Sequence, residues 1–343
     1  MTLFLLITVA ILLLGFTYQL LGIWRDARTH PPPGKLIRVA GSRLHIRASG
    51  QGSPTVVLES GIAASSVSWT AVHAALASHT TVCSYDRAGF GWSEPNARPR
   101  TPAQLADELN ELLVRAGLAP PFVLVGHSFG GLIVRAFATR YPRETVGLVL
   151  VDALHHSEWL NPTGRRRRML RGGVWFSWLG AALAAVGMVR LCLDLLTRGA
   201  RRTPRAVMKS FGKDVAGLIT RMVGEVTKLP PEVWPAIRAH WSRPRSFATM
   251  ARYLAALPKS SAEFLEPSPL PPVPLMVLSA DCAGDQLAGQ RELGSLCTAG
   301  ECRVVTGCGH WIHLDRPEVV VEAVIEMLER VRQEFGVQHG SSS

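Results

Sequence analysis

The chain has 343 residues, 47% of them hydrophobic, and carries 37 Lys and Arg against 26 Asp and Glu for a net charge of +11. That length leaves no difficulty in burying a full core and holds either one large α/β domain with an insertion or two ordinary domains. Excess basic charge in so apolar a chain is unusual; its arginine runs lack the interleaved aromatic strand pattern of a nucleic-acid surface, so no nucleic-acid partner is expected.

The first element, Thr2 to Trp24, has no charged side chain over 23 residues. At 1.5 Å per residue it is long enough to cross a hydrocarbon core of about 30 Å. A secretory signal would have a basic leader, a shorter apolar run and a small-x-small cleavage site, none of which stands clearly here, so an uncleaved single-pass anchor over residues 1–24 is expected. Tyr18 and Trp24 suit the aromatic belt at its end. Arg25, Arg28, Lys35 and Arg38 follow at once and favour a cytoplasmic catalytic domain. Cysteine usage points the other way. Cys282, Cys297, Cys302 and Cys308 fall within 27 residues, a spacing open to two disulfides of an oxidising compartment. No C-x-x-C pair is present, so no metal is expected.

Residues 25–35 read as a linker, stiffened by the Pro run of THPPPG. Over 36–153 the pattern predicts strands at Leu36–Ala40, Arg43–Ala48, Thr55–Glu59, Thr81–Asp86, Phe122–Val125 and Val146–Val151. Helices are predicted at Val67–Ser78, Thr101–Ala116 and Phe129–Tyr141. That alternation implies a mostly parallel sheet covered on both faces. It resumes over 273–336, with strands at Leu275–Ser279 and Arg303–Val305 and an amphipathic helix at Pro317–Phe335. There Val320, Val324, Leu328 and Val331 share one face. Residues 337–343 are expected to be a frayed tail.

Between these halves lies an insertion, 154–272, with 19 Lys and Arg against 7 Asp and Glu, so the remainder of the chain is nearly neutral. Within it Val174 to Val189 is a single apolar run of 16 residues, flanked by Arg165 to Arg168 and Arg171 before and Arg190 after. It is short for a span, and reads as a helix buried in a cap or lying at a membrane surface. Anionic headgroups are the expected partner of the arginines.

FVLVGHSFGG, Phe122 to Gly131, reads as a buried strand followed by a serine between glycines and then a helix. The G-x-S-x-G spacing places Ser128 on a tight turn, with Gly126 and Gly130 where a Cβ would collide with neighbouring backbone. The plainer reading of Ser128 is a helix N-cap. A nucleophilic serine needs a base, and His310 in GCGHWIHL follows the last strand and precedes the last helix, from where an imidazole can reach over the sheet. His313 competes but reads as the start of the helix, and His127 as turned under the elbow. The acid that orients the imidazole is open between Asp281, Asp285 and Asp152. Asp281 and Asp285 follow the seventh strand and keep the chain order Ser, Asp, His; Asp152 ends the sixth strand. Sequence order favours Asp281, with Asp152 next. Two N–H donors would face the developing oxyanion, those of Phe129 and of Ile62 after the third strand.

VVLESG at Val56–Gly61, SYDRAGFGWS at Ser84–Ser93, GHSFGG at Gly126–Gly131, LVLVDA at Leu148–Ala153 and GHWIHLDRPE at Gly309–Glu318 lie in order over about 260 residues. In these the chain resembles the cap-bearing, serine-nucleophile branch of the α/β-hydrolase superfamily. The resemblance implies an α/β-hydrolase fold with an eight-strand sheet, an inserted helical cap, and Ser128 with His310 as the catalytic pair. Two departures stand out: SGI replaces the frequent His-Gly pair of the oxyanion loop, and SADCAGD replaces a simple G-x-x-D after strand seven. Epoxide hydrolases and haloalkane dehalogenases of this branch are set apart by an aspartate at the place of Ser128. The expectation is a membrane-anchored serine esterase or lipase-like enzyme, without metal or organic cofactor, acting on a small hydrophobic acyl substrate near membrane lipid. Acyl transfer, carbon–carbon bond hydrolysis and a catalytically silent lipid- or protein-binding module are the alternatives.

Overall fold

A computed structural model describes residues 1–198, 226–265, 269–281 and 284–335. Residues 199–225 and 266–268 of the insertion, 282–283 (with Cys282), and 336–343 (with the expected tail) lie outside the described residues. The chain divides into two compact units, one of Pro33–Arg171 with Arg252–Ser343 and the other of Met1–Pro32 with Gly172–Ala251.

The larger unit holds all eight strands: β1 (Lys35–Val39), β2 (Ser42–Ser49), β3 (Thr55–Glu59), β4 (Val82–Tyr85), β5 (Phe122–His127), β6 (Thr145–Val151), β7 (Leu275–Ala280) and β8 (Gly300–Val305). They form one sheet in the order β1-β2-β4-β3-β5-β6-β7-β8. Strand β2 runs antiparallel to β1 and β4, and every other pairing is parallel.

Alternation along the central strands feeds two separate cores, which is why these runs are apolar without a break. On one face Phe122 and Leu124 of β5 and Leu148 and Leu150 of β6 pack with Leu109, Leu112 and Phe137. Those partners come from α3 (Pro102–Ala116) and α4 (Gly130–Arg140). On the other face Val123, Val125, Val149 and Val151 pack with Trp69, Val72, Val324 and Leu328. The last two belong to the closing helix Pro317–Phe335, whose apolar stripe is the one read from the sequence. The helix expected at Val67–Ser78 is a 3₁₀ turn, Ser66–Trp69, running into α2 (Thr70–Leu76).

The smaller unit contains α1 (Thr2–Thr29) and most of the insertion. Its apolar run is not one helix. After α5 (Ser157–Leu160) in the larger unit, α6 (Gly164–Ala185) and α7 (Met188–Arg198) meet at a bend of 85°. The break falls at Gly187, whose φ of 75° is a left-handed conformation that glycine adopts at no steric cost. Alone among the helices, α1 is long and apolar enough to cross a membrane, among the described residues. Cys83, Cys192, Cys297 and Cys308 are free thiols. With Cys297 and Cys308 unpaired, the cluster does not hold two disulfides, which corrects that reading.

Candidate active site

Strand β5 delivers Ser128 onto a turn with φ of 54°, a strained left-handed geometry for a residue with a side chain. The turn is held on both sides. The Ser128 N–H donates to Val151 O at 3.1 Å, and the Ser128 carbonyl accepts from the N–H groups of Leu154 and Gly131 at 2.9 and 3.0 Å. A Cβ on Gly126 would lie 2.7 Å from the Gly130 carbonyl, and one on Gly130 would lie 2.7 Å from the Glu59 carbonyl. Both glycines are thus required by close backbone approach, and the serine is lifted out of the sheet as a result.

His310 stands in the loop between β8 and the short helix Ile312–Asp315. Its Nε2 accepts from the Ser128 hydroxyl at 3.0 Å, and its Nδ1–H donates to Asp152 Oδ2 at 2.6 Å. The imidazole is half-exposed, while the Asp152 side chain is 1% exposed. Asp152 follows β6 with φ of 41°, and its second oxygen accepts the Ala280 N–H at 3.0 Å.

The structure therefore brings Asp152, not Asp281, to the histidine. The reason is in the sheet. Strand β6 pairs with β7 so that Val151 lies beside Leu278, and the end of β7 serves as a donor that fixes the Asp152 carboxylate. Asp281, one residue past β7, is exposed. Asp285 begins the helix Asp285–Gly294.

The loop after β3 lies against the serine turn: a Cβ on Gly61 would lie 3.2 Å from Ser128 Cβ and 2.9 Å from His127 Nδ1. The N–H groups of Ile62, next in that loop, and of Phe129, which caps α4, take no part in the turn and loop hydrogen bonds among the described residues. Sequence reasoning missed what holds this loop. The Arg87 guanidinium donates to the carbonyls of Ser60 and Gly61 and pairs with Glu59, which also accepts from the Tyr85 hydroxyl. All three side chains are buried. Burial pushes the Glu59 carboxyl upward, and the Arg87 charge opposes that shift. The signal was present as opposite charges at the ends of adjacent buried runs, VVLE and SYDR.

Beneath His310, His127 donates its Nε2–H to the His310 carbonyl at 2.9 Å. The His313 ring stacks on Trp69 with centroids 4.3 Å apart. Burial holds both imidazoles neutral: that of His127 is lowered well below its ordinary range and that of His313 is pushed down to about 3. Neither ring reaches Ser128, so His310 is the base that the geometry offers.

Comparison with known proteins gives the family. The profile of the alpha/beta hydrolase family matches residues 56–323, from β3 into the last helix. The chain belongs to that family. Among solved structures of alpha/beta hydrolase shape, a thermophilic esterase from Thermogutta terrifontis is 22% identical with a TM-score of 0.58, covering 87% of this chain and 98% of that one. The epoxide hydrolase CorEH is 18% identical with a TM-score of 0.62, covering 87% and 99%. Likeness at that level extends to the fold alone. Among curated relatives, an AB hydrolase superfamily protein of Gibberella zeae is 38% identical over 104 residues, 29% of this chain and 32% of that protein. The protein YqjL of Bacillus subtilis is 33% identical over 119 residues, 34% of this chain and 47% of that protein. The chain thus spans less than half the length of these relatives. For this alpha/beta hydrolase, the reaction has to be argued from the site.

Proposed function

We propose that this alpha/beta hydrolase is a membrane-anchored serine esterase that cleaves hydrophobic acyl esters through an acyl-enzyme on Ser128. The observation that carries the reading is the unbroken chain of hydrogen bonds from the Ser128 hydroxyl through His310 to Asp152. Ser128 Oγ attacks the ester carbonyl carbon as its proton passes to His310 Nε2. Asp152 holds Nδ1–H and stabilises the imidazolium that forms. The oxyanion is met by the N–H groups of Ile62 and Phe129, and the helix dipole of α4 adds positive potential at the same point.

Collapse of the intermediate breaks the bond to the alkoxy oxygen, which leaves with the proton from His310. Water then attacks the acyl-enzyme with His310 again as base, returning Ser128 to its hydroxyl form. The apolar run Val174–Val189 in the insertion and the length and exposure of α1 support a substrate with a hydrophobic acyl chain. The basic residues that follow Trp24 support a catalytic domain on the cytoplasmic face.

Labelling with a fluorophosphonate probe tests the chemistry. The intact chain is expected to label and Ser128→Ala is not; equal behaviour of the two would remove the hydrolase reading. Rates on p-nitrophenyl esters of rising acyl length test the substrate class, where a flat profile or a preference for acetate would remove the hydrophobic chain. Protease protection in sealed vesicles reads the membrane side.

A further inference from the structure

Helix α1 is not a bare tether. Around most of its circumference its apolar side chains are exposed, with Phe4, Leu6, Ile11 and Leu14 among them. One narrow stripe is not. Gly15, Gln19, Gly22 and Asp26 recur at spacings of four, three and four, so they lie along a single face. Each meets the smaller unit's own insertion helices. A Cβ at Gly15 would run into the Val186 carbonyl, and one at Gly22 into the Arg190 guanidinium. The Gln19 amide donates to Ser242 O at 2.7 Å, and its oxygen accepts from Arg190 Nε at 2.9 Å. Asp26 is 2.7 Å from Arg190 Nη1 and 3.3 Å from Arg238 Nη2, with Asp26 and Arg190 both buried. Nearby, the Tyr18 hydroxyl donates to Asp194 at 2.7 Å.

These contacts fix a depth. If α1 spans lipid from Leu3 to Ile23, its length is about 31 Å, a full hydrocarbon thickness. Gly15 then lies about 12 Å below the boundary at Ile23, and Asp26 about 4 Å outside it. The α6–α7 elbow, Val186–Gly187, packs on Gly15 and is carried to the same depth. The charged pair Asp26–Arg190 sits at the boundary, and Gln19, inside it, has both ends of its amide satisfied by protein. Polar groups at that depth persist when bonded in this way.

The outer face of α6 fits the same setting. Trp175, Phe176, Trp178 and Leu183 are 61%, 50%, 52% and 39% exposed, while its inner face, with Ser177 and Ala184, is buried and Gly180 packs on Phe247. From the elbow back to Arg171 the helix is about 22 Å long, enough to climb from that depth to the headgroups, where the run Arg165–Arg168 follows.

We propose that the α6–α7 elbow is a re-entrant membrane element. It enters the bilayer beside α1, keyed by the Gly15–Gln19–Gly22–Asp26 stripe, and presents Trp175, Phe176, Trp178 and Leu183 to acyl chains. The proposal rests on the reading of α1 as a membrane span. It also bears on the signal-peptide alternative, since cleavage of α1 would strip Arg190 of its buried counter-ion.

The test uses the full chain in phosphatidylcholine vesicles with p-benzoylphenylalanine replacing Leu183, or replacing Val114 on α3 as an exposed apolar control in the other unit. After irradiation, lipid adducts are expected at 183 and absent at 114. Equal yields, or adducts from 183 to a second copy of the chain in place of lipid, would overturn the re-entrant element. Carbonate extraction reads the anchor separately: release of the unmodified chain would remove the span itself and the elbow with it. In Gly15→Leu the span becomes more apolar but cannot approach Val186. Retained carbonate resistance with loss of the 183 adducts is expected; full adduct yield in that variant would overturn the role of the stripe. The comparison of 183 with 114 stands whether or not that variant folds.

Discussion

Replacing Asp152 by Asn separates the geometry of this site from its sequence order. The Asp152 carboxylate has one oxygen on the Ala280 N–H at 3.0 Å and the other on His310 Nδ1–H at 2.6 Å, with 1% of the side chain exposed. The amide introduced by Asp152→Asn would keep its oxygen on the Ala280 donor and turn its NH₂ toward Nδ1. Nδ1 must then accept, the ring hydrogen moves to Nε2, and Nε2 can no longer take the Ser128 proton. Loss of the productive tautomer at a site of this kind costs about 10⁴-fold in kcat, or roughly 5 kcal/mol of transition-state stabilisation. Asp281→Asn, at an exposed position off the histidine, is expected to stay within about twofold of the unmodified chain. Initial rates on a p-nitrophenyl ester, normalised by fluorophosphonate titration of active serine, measure both. An Asp152→Asn variant retaining more than about a tenth of the rate, or an Asp281→Asn variant falling as far as Asp152→Asn, would refute the assignment of the orienting acid.

Three further outcomes are expected. Gly61→Ala places a methyl group 2.9 Å from His127 Nδ1 and 3.2 Å from Ser128 Cβ, so the Ile62 N–H is displaced. Turnover on the same ester should fall about 10- to 100-fold with KM little changed, and an unchanged kcat would remove Ile62 as a donor. Arg87→Lys keeps the charge but loses the fork that binds Ser60 O and Gly61 O; a lower melting temperature in detergent and a lower kcat are expected together, and loss of stability alone would limit Arg87 to the fold. For His313, native burial holds the imidazole neutral down to about pH 3, whereas in the unfolded chain it takes up a proton near its ordinary pKa of about 6.5. The unfolded state therefore binds more protons between these values, and stability falls as pH drops through that window, by about 1.4 kcal/mol per unit. His313→Phe, which can keep the stack on Trp69, should flatten melting temperature against pH between 6 and 4; an unaltered slope would refute the buried neutral histidine.

Much of this molecule is legible from local pattern. The strands of the sheet announce themselves because central strands covered on both faces need unbroken apolar runs, and Thr55–Glu59 is both the expected and the observed element. Ser128 is legible because Gly126 and Gly130 are demanded by backbone contact close in sequence. The carboxylate is harder. Asp152 and Asp281 both follow strands, and only the pairing of β6 with β7 decides which faces the histidine. Arg87 escaped notice for a similar reason, since its partners Glu59, Ser60 and Gly61 lie on another strand and its loop. The break at Gly187 was hidden in an apolar run, where one glycine reads as tolerated helix. Gln19 and Asp26 give no hint of their partners, because contacts 171 and 223 residues away for Gln19 and 212 for Asp26 leave no periodicity in the sequence.

The pairing of Asp26 with Arg190 also sets where the protein can be cut. A shortened chain beginning at Pro33, the natural place to start if α1 were only a leash, would leave the Arg190 guanidinium, 3% exposed, without its carboxylate. Removing one member of a buried pair costs about 3–5 kcal/mol, a large share of what holds a domain folded. Trimming to Arg25 would spare Asp26 but discard Gln19 and the glycines that seat the helix. Truncation there would come with a damaged insertion, so a preparation intended for enzymology is better kept whole.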